Sequence, residues 1–300
     1  MKRVFSIATI LNFFLWFYNS DLILSQNSID DFTQENYDTI YCIKYHFNLG
    51  DTLIYYLESY DSIIVDFEKP LLKQRFEEIQ ITCDSIKNKI FYLTYQLTNY
   101  LGFERQDEKE KVQRTSSPWI GKKILIAIDS LGNRYKLAYD DTLSAAVCPG
   151  GAFQPPLLIK LADSISCYKS NSFWFTESLD ELVENAFPVP LVRQASLLRI
   201  TGTIDTLGKH CVRINSIKTA QGSYNVYSQK DTIKISNVIA GAEILDLDTI
   251  SCKIVHLTTT VEQKLSISIG NQEPKKGLHY IYTNYKLVDE KKRKNIKNKR

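Results

Sequence analysis

Hydrophobic and polar residues alternate along most of this chain, and a period of two predicts β-strands with one buried face. In the stretch YCIKYHF, which begins at Tyr41, aromatic and aliphatic residues share one face, while Lys44 and His46 lie on the other. The stretch from Thr258 to Ile269 alternates in the same way. Such clean alternation is typical of antiparallel sheets that have one face in the core and one in water.

Turn-forming residues separate the predicted strands. Gly50 turns the chain into one strand, and Lys87 with Asn88 joins two others. The motif IDSLG, beginning at Ile128, and the motif IDTLG, beginning at Ile204, predict two hairpins whose glycine takes a left-handed conformation. The repeat has two explanations, a duplicated half or the independent reuse of a good turn, and both stay open.

One segment departs from the strand pattern and predicts a short helix near 178–187. Its apolar residues recur at helical spacing, and Pro188 and Pro190 end it. The predicted fold class is therefore mainly β, with antiparallel strands in a curved sheet, an open barrel or two stacked sheets, plus this helix. The helix would gather a row of carboxylates on one face: Glu177, Asp180, Glu181 and Glu184.

The two ends of the chain differ from its body. Residues 1–25 place two cations before an apolar run, which predicts a signal peptide with cleavage after Ser25. That run is shorter than the roughly 20 residues that a membrane span needs, and no later segment predicts a span. Residues 291–300 form a basic tail, for which we predict disorder.

The motif CPGGAFQPP, from Cys148 to Pro156, predicts a connector between two halves. A phosphate-binding loop would need a helix directly after its glycines, and the paired prolines prevent one. We therefore divide the chain into a β-rich half at 26–147, a connector at 148–171 and a second β-rich half at 172–290.

Charge and cysteine content limit the classes of function. The chain has more basic than acidic residues only because of its tail and its predicted signal peptide. The body between them is slightly acidic, so we predict no nucleic-acid partner. Six cysteines follow the signal, and an even number in an exported chain permits disulfides. The closest pair, Cys148 and Cys167, flanks the connector and is the favoured disulfide.

Candidate chemistry is sparse. No C-x-x-C pair, G-x-S-x-G elbow or paired histidine motif occurs, so the sequence predicts no catalytic residue, no metal and no cofactor, and it argues against an enzyme. Asp246 and Asp248 share a strand face and would bind Ca²⁺ only with further oxygen ligands. The acidic helix leaves a hydrolase as the third and weakest hypothesis.

Aromatic residues are unusually frequent, with 18 Tyr, 14 Phe and 3 Trp. They suit either the wall of a binding site or cross-strand packing, and both explanations stay open. The candidate ligand-lining residues are Trp174, Tyr45, Tyr55 and Tyr95.

Part of the chain resembles an uncharacterised family of secreted β-rich proteins of the bacterial cell envelope. Trp174 in SNSFWFTES and the strand Thr258–Ile269 carry the resemblance. The family has a glycine before the tryptophan, where this chain has Asn171, Ser172 and Phe173. The resemblance implies an exported scaffold with an open barrel similar to that of lipoprotein carriers, and it implies no catalytic residues.

Three functional hypotheses result. The first is an exported, non-enzymatic envelope protein, in the periplasm or at the cell surface, that binds a lipid or another amphipathic ligand in a cavity or has a structural role. The second is a module that binds an envelope protein or a glycan through tyrosines on the outer face of a solidly packed sheet. The third is the hydrolase that would use the acidic helix.

Overall fold

Long β-strands dominate the structure, a computed structural model that describes residues 39–66, 68–106, 110–117, 119–139, 157–181, 191–227 and 232–292. All of these strands belong to one compact unit, which begins at Ile40. The described ranges contain no helix. In chain order the strands are β1 (Ile40–Cys42), β2 (Asp51–Val65), β3 (Leu71–Lys87), β4 (Ile90–Gln106), β5 (Val112–Arg114), β6 (Lys123–Ile128), β7 (Arg134–Tyr139), β8 (Cys167–Lys169), β9 (Phe173–Glu181), β10 (Leu191–Thr206), β11 (Lys209–Tyr227), β12 (Thr232–Asp248), β13 (Ile254–Ile269) and β14 (Lys275–Lys292).

Twelve of these strands form one open antiparallel sheet, with the order β7-β6-β4-β3-β2-β14-β13-β12-β11-β10-β9 and with β5 beside β4. Each half of the chain is a meander, and the first long strand, β2, pairs with the last, β14. The predicted antiparallel, mainly β architecture is confirmed. Both predicted halves contribute to the same sheet, and β7 and β9 are its two edges.

The predicted turns are present, with the backbone angles that their residues favour. Asn88 and Lys89, with φ of 51° and 65°, join β3 to β4. Leu207 and Gly208, with φ of 51° and 75°, join β10 to β11. Two successive positive φ angles match the right-handed twist of the paired strands, which explains why this short hairpin forms.

One face of the sheet, here called the inner face, carries the hydrophobic core. Core side chains come from nearly every long strand, for example Leu53, Ile81 and Leu257. Residues outside the sheet also pack on this face. Ile43, Tyr45 and Phe47 are buried there, so the alternation predicted for this stretch is confirmed, although only Ile40–Cys42 is a strand.

Two segments outside the main sheet, residues 40–47 and 157–169, together form what we call the clasp. Their strands β1 and β8 pair with each other, and a disulfide joins Cys42 to Cys167. The Tyr45 hydroxyl also donates a hydrogen bond to the carbonyl oxygen of Ile159, at 3.0 Å. The clasp is therefore held together by covalent, backbone and side-chain contacts.

The clasp contacts both edge regions of the sheet. The Leu161 amide donates to the Leu131 carbonyl, in the turn between β6 and β7, at 2.8 Å. On the other side, Trp174 of β9 donates from Nε1 to the Leu161 carbonyl at 2.7 Å, and Tyr168 stacks on its ring. The clasp therefore links the β7 side of the open sheet to the β9 side.

The predicted disulfide between Cys148 and Cys167 is wrong. The register of β1 against β8 places Cys42 directly opposite Cys167, with 4.0 Å between their Cα atoms, and these two form the bond. The two cysteines are 125 residues apart in sequence, so proximity along the chain was a poor guide. Cys148 lies outside the described residues.

The predicted helix near 178–187 is also wrong where the structure describes it. Strand β9 continues through Ser178 to Glu181 and pairs with β10. The local helical spacing of apolar residues is outweighed there by the hydrogen bonds of the ladder with β10. The helix that would gather Glu177, Asp180 and Glu181 on one face does not begin here, and Glu184 lies outside the described residues.

Several other predictions fall outside the described residues. They concern the signal peptide at 1–25, the motif from Cys148 to Pro156 and the final residues 293–300 of the basic tail. Of the predicted connector, residues 157–171 are described, and Leu157, Leu161 and Ala162 are buried in the core.

Replacing Gly132 by alanine is expected to lower the free energy of unfolding by about 2–4 kcal/mol, since two costs add. Gly132 has φ of 83°, and a Cβ there would collide with the Ile159 carbonyl oxygen of the clasp. The matched control is Gly208→Ala, because φ is 75° and no atom lies within 4 Å of the added Cβ. Urea unfolding of both variants measures the difference, and equal losses would show that the clasp does not constrain Gly132.

Candidate functional site

The four candidate ligand-lining residues all lie on the inner face, and all are buried. Tyr45 and Trp174 donate hydrogen bonds to backbone oxygens of the clasp, and Tyr55 donates to the Ile254 carbonyl at 2.7 Å. A ligand would have to displace the chain's own residues to reach Tyr45 or Trp174. Their assignment as ligand-lining residues stays a prediction.

A layer of polar side chains crosses the inner face beyond the apolar core. Cross-strand register places its members in one row over six strands: Ser216, Glu243, Thr259, Thr283, Ser59 and Arg75. Lys218 forms an ion pair with Glu243 of the neighbouring strand β12. Polar groups this deep require partners within the chain.

Arg75 is the centre of this polar layer. Its Nε donates to Asp61 at 2.6 Å, Nη1 to Glu77 at 2.8 Å and Nη2 to the Ser59 hydroxyl at 3.0 Å. Burial alone would raise the pKa of Asp61, but His279 and the Arg75 guanidinium together lower it. Burial raises the pKa of Glu77, and Arg75 only partly offsets that rise. The guanidinium thus holds two buried carboxyl groups on neighbouring strands.

The opposite, outer face contains a second buried ionic group. Asp246 accepts hydrogen bonds from Arg213 Nε at 2.8 Å and from the Thr206 hydroxyl at 3.0 Å, and His256 Nδ1 lies 3.4 Å away. Burial opposes ionisation, but His256 and Arg213 lower the pKa of Asp246 to about 2. The other ring nitrogen of His256 lies 2.9 Å from Oδ1 of Asn284, so the ring is held between two strands.

The candidate calcium ligands are therefore engaged by the chain itself. Asp248, like Asp246, is bonded internally, since its carboxylate accepts from Ser251 and from the Ile250 amide. In the part of the chain that the structure describes, no group of three or more His, Cys, Asp or Glu residues is placed to hold a metal ion. No helix within the same ranges is long and apolar enough to span a membrane.

A single row of uncharged side chains runs across the outer face, perpendicular to the strands. We call it the outer row. It follows the cross-strand register through nine strands, from β9 to β4. Its members are Phe175, Leu197, Ile217, Ala242, Thr260, Tyr282, Tyr60, Gln74 and Phe103. Large rings are exposed along it, with 53% of Phe175, 41% of Tyr282 and 47% of Tyr60 accessible to solvent.

The rows on either side of the outer row mix charged and apolar side chains. One contains Glu177 and Glu262 together with Tyr280, and the other contains Arg199 and Glu58 together with Phe173. Phe173 and Tyr280 are 60% and 44% exposed, so the apolar surface extends beyond the outer row and is interrupted by charges. Exposed apolar surface among polar residues is typical of an interaction site.

The stripe is richest in aromatic rings where β14, β2, β3 and β4 lie side by side. The Tyr60 hydroxyl donates to Glu58 at 2.6 Å and accepts from Gln74 at 3.1 Å. The bond to Glu58 raises the pKa of Tyr60. The rings of Tyr60 and Tyr282 lie 6.4 Å apart, so two exposed rings form a platform with one of them fixed in place.

A groove of about 320 Å³ lies at the β4 end of the outer row. Its lining combines members of the outer row with one leucine of the neighbouring row, three cations and one acid: Tyr60, Leu72, Lys73, Gln74, Phe103, Glu104, Arg105 and Lys111. The groove is thus continuous with the aromatic platform and adds charge to its end.

The rings predicted from the sequence to line a site are buried, and the outer row was not among the predicted residues. A signal was present in part, since Tyr56 and Tyr60 alternate with inward residues in IYYLESY, and Tyr280 and Tyr282 do so in YIYTNY. Period two shows that each pair shares a face. It does not show which residue lies opposite Tyr60 on the neighbouring strand, because that depends on register.

Comparison with known proteins yields no close relative. No family model matches the chain, and no curated protein does. The resemblance carried by Trp174 and Thr258–Ile269 therefore stays a prediction.

Solved structures show only remote likeness. A structure of lipovitellin, which was determined to describe its lipid–protein interactions, is 9% identical to this chain, with a TM-score of 0.43. The match covers 82% of this chain and 26% of the lipovitellin chain, so this chain spans about a quarter of the length of that protein. An exported protein with a YmcC-like fold from Bacteroides fragilis is 9% identical over 84% of this chain and 100% of its own, with a TM-score of 0.25. OmpT, an outer membrane protein of Vibrio cholerae with loop L8 deleted, is 8% identical over 79% and 99%, with a TM-score of 0.20. Likenesses at these scores carry no functional argument.

Proposed function

We propose that this chain is an exported, non-enzymatic protein of the cell envelope that binds a polysaccharide across the outer face of its sheet. The outer row is the observation that carries this proposal. It is the glycan-binding form of the second hypothesis, in which the sheet packs solidly and tyrosines face outward.

The chemistry of the outer row suits a sugar chain. A pyranose ring has one face made largely of C–H groups and a rim of hydroxyls. Exposed rings such as Tyr60 and Tyr282 offer an apolar surface for that face. The Tyr60 hydroxyl and the Gln74 amide nitrogen already donate within the chain, so their oxygens offer acceptors to the hydroxyls of the rim. Because Glu58 and Gln74 already fix the Tyr60 ring, binding costs it little rotamer entropy.

The shape of the outer row favours a linear polymer over a broad protein partner. Nine strands are separated by eight spacings of about 4.8 Å, so the row is about 38 Å long while only one residue wide. Stable protein interfaces bury about 800 Å² on each partner in compact patches. Charged residues such as Glu262 and Glu58 interrupt the apolar surface beside the outer row, so that surface is not one continuous compact patch.

Location outside the cytosol is consistent with this function. The Cys42–Cys167 disulfide is of a kind that persists in oxidising compartments such as the periplasm or the cell exterior. The polysaccharides of a cell envelope and its surroundings are present in both compartments.

Replacing Tyr60 and Tyr282 by alanine is expected to weaken polysaccharide binding at least tenfold, because the exposed platform loses both rings. Affinity electrophoresis and calorimetry against a panel of soluble polysaccharides provide the measurement. The matched control is Tyr135→Ala, which removes a 61% exposed tyrosine on β7, outside the outer row.

Two results would contradict the proposal. The first is binding that survives loss of both rings unchanged. The second is a wild-type protein that no polysaccharide of the panel retards. Tight binding of a fatty acid or phospholipid in the same assays, without polysaccharide binding, would favour the carrier hypothesis instead.

A further inference from the structure

We propose that the groove at the β4 end of the outer row binds a sugar carboxylate, so that the preferred polymer is an acidic polysaccharide. This inference rests on the proposed function, because it assigns the charge of the same ligand. It is carried by two cations that form no ion pair with any carboxylate among the described residues.

Arg105 and Lys111 are those cations. Within the described residues neither forms an ion pair with a carboxylate, and both side chains are exposed. The Lys111 ammonium lies 4.2 Å from the centre of the Phe103 ring, so a positive charge stands directly above an aromatic member of the outer row. Arg105 follows Phe103 by two residues on β4, so both side chains extend from the same side of the strand.

The acid in the groove does not cancel these charges. Glu104 pairs with Lys73 at 3.0 Å and with Arg114 at 3.3 Å. Burial opposes the ionisation of Glu104, but Lys73 and Arg114 lower its pKa. Glu104 is thus already neutralised by two partners, and Arg105 and Lys111 remain for a ligand.

The geometry links the charge to the platform. Phe103 lies opposite Gln74, and Arg105 lies opposite Leu72, so the cation is one row away from the aromatic stripe. A uronic acid carries its carboxylate at the edge of the same ring whose C–H face stacks on an aromatic side chain. Arg105 can receive that group with two parallel hydrogen bonds, which single out a planar carboxylate from a hydroxyl.

The test compares polymers that differ only in charge. Polygalacturonate, alginate and hyaluronan are each titrated beside their methyl-esterified, neutral forms. We expect each acidic form that binds to do so at least tenfold more tightly than its ester. The double variant Arg105→Gln with Lys111→Gln should lose that preference and keep affinity for the esters within about twofold, since the esters lack the charge that the two cations would bind.

A neighbouring acid supplies the control. Glu110→Gln removes an exposed carboxylate next to Lys111 and should leave binding unchanged or slightly tighter. Circular dichroism and urea unfolding verify that every variant folds.

The outcomes separate this inference from the proposed function. Equal affinity of the wild type for acidic and esterified forms overturns the carboxylate site and leaves the polysaccharide function standing. A preference for acid that survives the double substitution also overturns the site. Failure of all six polymers to bind overturns the carboxylate site, and failure of the neutral polysaccharides of the panel as well overturns both.

Discussion

Removing the Cys42–Cys167 disulfide is expected to lower the free energy of unfolding by about 4–5 kcal/mol. The bond closes a loop of 125 residues in the unfolded chain, and the conformational entropy that it removes grows with loop length. It also fixes the clasp, whose backbone joins the two edge regions of the open sheet. We therefore expect the largest loss of order at the clasp contacts of Leu161 and Trp174.

The double variant Cys42→Ser with Cys167→Ser, unfolded in urea beside the wild type, measures this loss. Cys252→Ser is the matched control, since Cys252 is a free thiol that is not fully buried. Hydrogen exchange shows whether protection falls first at β7 and β9. A loss no larger than that of the control would mean that the clasp holds the sheet edges without the covalent bond.

Replacing Arg75 by methionine is expected to cost about 3–5 kcal/mol of stability, because Asp61 and Glu77 stay buried without the guanidinium that binds both. Methionine keeps most of the side-chain volume, so the loss of stability comes more from lost charge and hydrogen bonds than from lost packing. The unfolding midpoint in urea is the measurement.

The matched control is Lys264→Met, which breaks an exposed ion pair with Glu262 and should cost less than about 1 kcal/mol. Similar midpoints for the two variants would show that burying Asp61 and Glu77 without Arg75 costs little stability. Adding Asp61→Asn and Glu77→Gln to the Arg75 variant should restore part of the loss, since the buried charges are then removed.

The inner polar layer and the outer row depend on the same strands. Tyr60 points outward between the inward-facing Ser59 and Asp61, and Gln74 precedes Arg75. A slip of one residue between β2 and β3 would expose the ionic groups and bury the platform. We therefore expect the arginine network to contribute to the register that aligns Tyr60 with Gln74, and we expect its loss to weaken the proposed polysaccharide binding as well.

Under the proposed function, the cationic groove gives a functional reason for an otherwise unusual outer face. Leu72, Phe103 and Tyr60 leave apolar surface in water, which costs stability and invites association. A ligand that covers the rings and neutralises Arg105 and Lys111 removes both costs.

Local sequence pattern determined much of the fold. The alternation at Thr258–Ile269 and the turn residues Asn88 and Gly208 predicted antiparallel strands and their connections, and these were confirmed. Strand periodicity and left-handed turn positions are local properties, because each depends on a few neighbouring residues. The resulting class, a mainly β antiparallel sheet, therefore followed from the chain itself.

The errors have a common physical cause. Ser178–Glu181 has helical spacing but forms part of β9, because its backbone pairs with β10. Cys167 bonds to Cys42 because β1 lies against β8, not because of distance along the chain. Both outcomes depend on contacts between residues far apart in sequence.

The sequence by itself determined strands, turns and the alternation of faces, since those arise from backbone conformation and local periodicity. Only the tertiary structure decided the pairing of β2 with β14, the partner of Cys167 and the alignment of Tyr60 with Tyr282 and Gln74. Register between distant strands is set by the packing of the whole inner face, and no single segment contains that information.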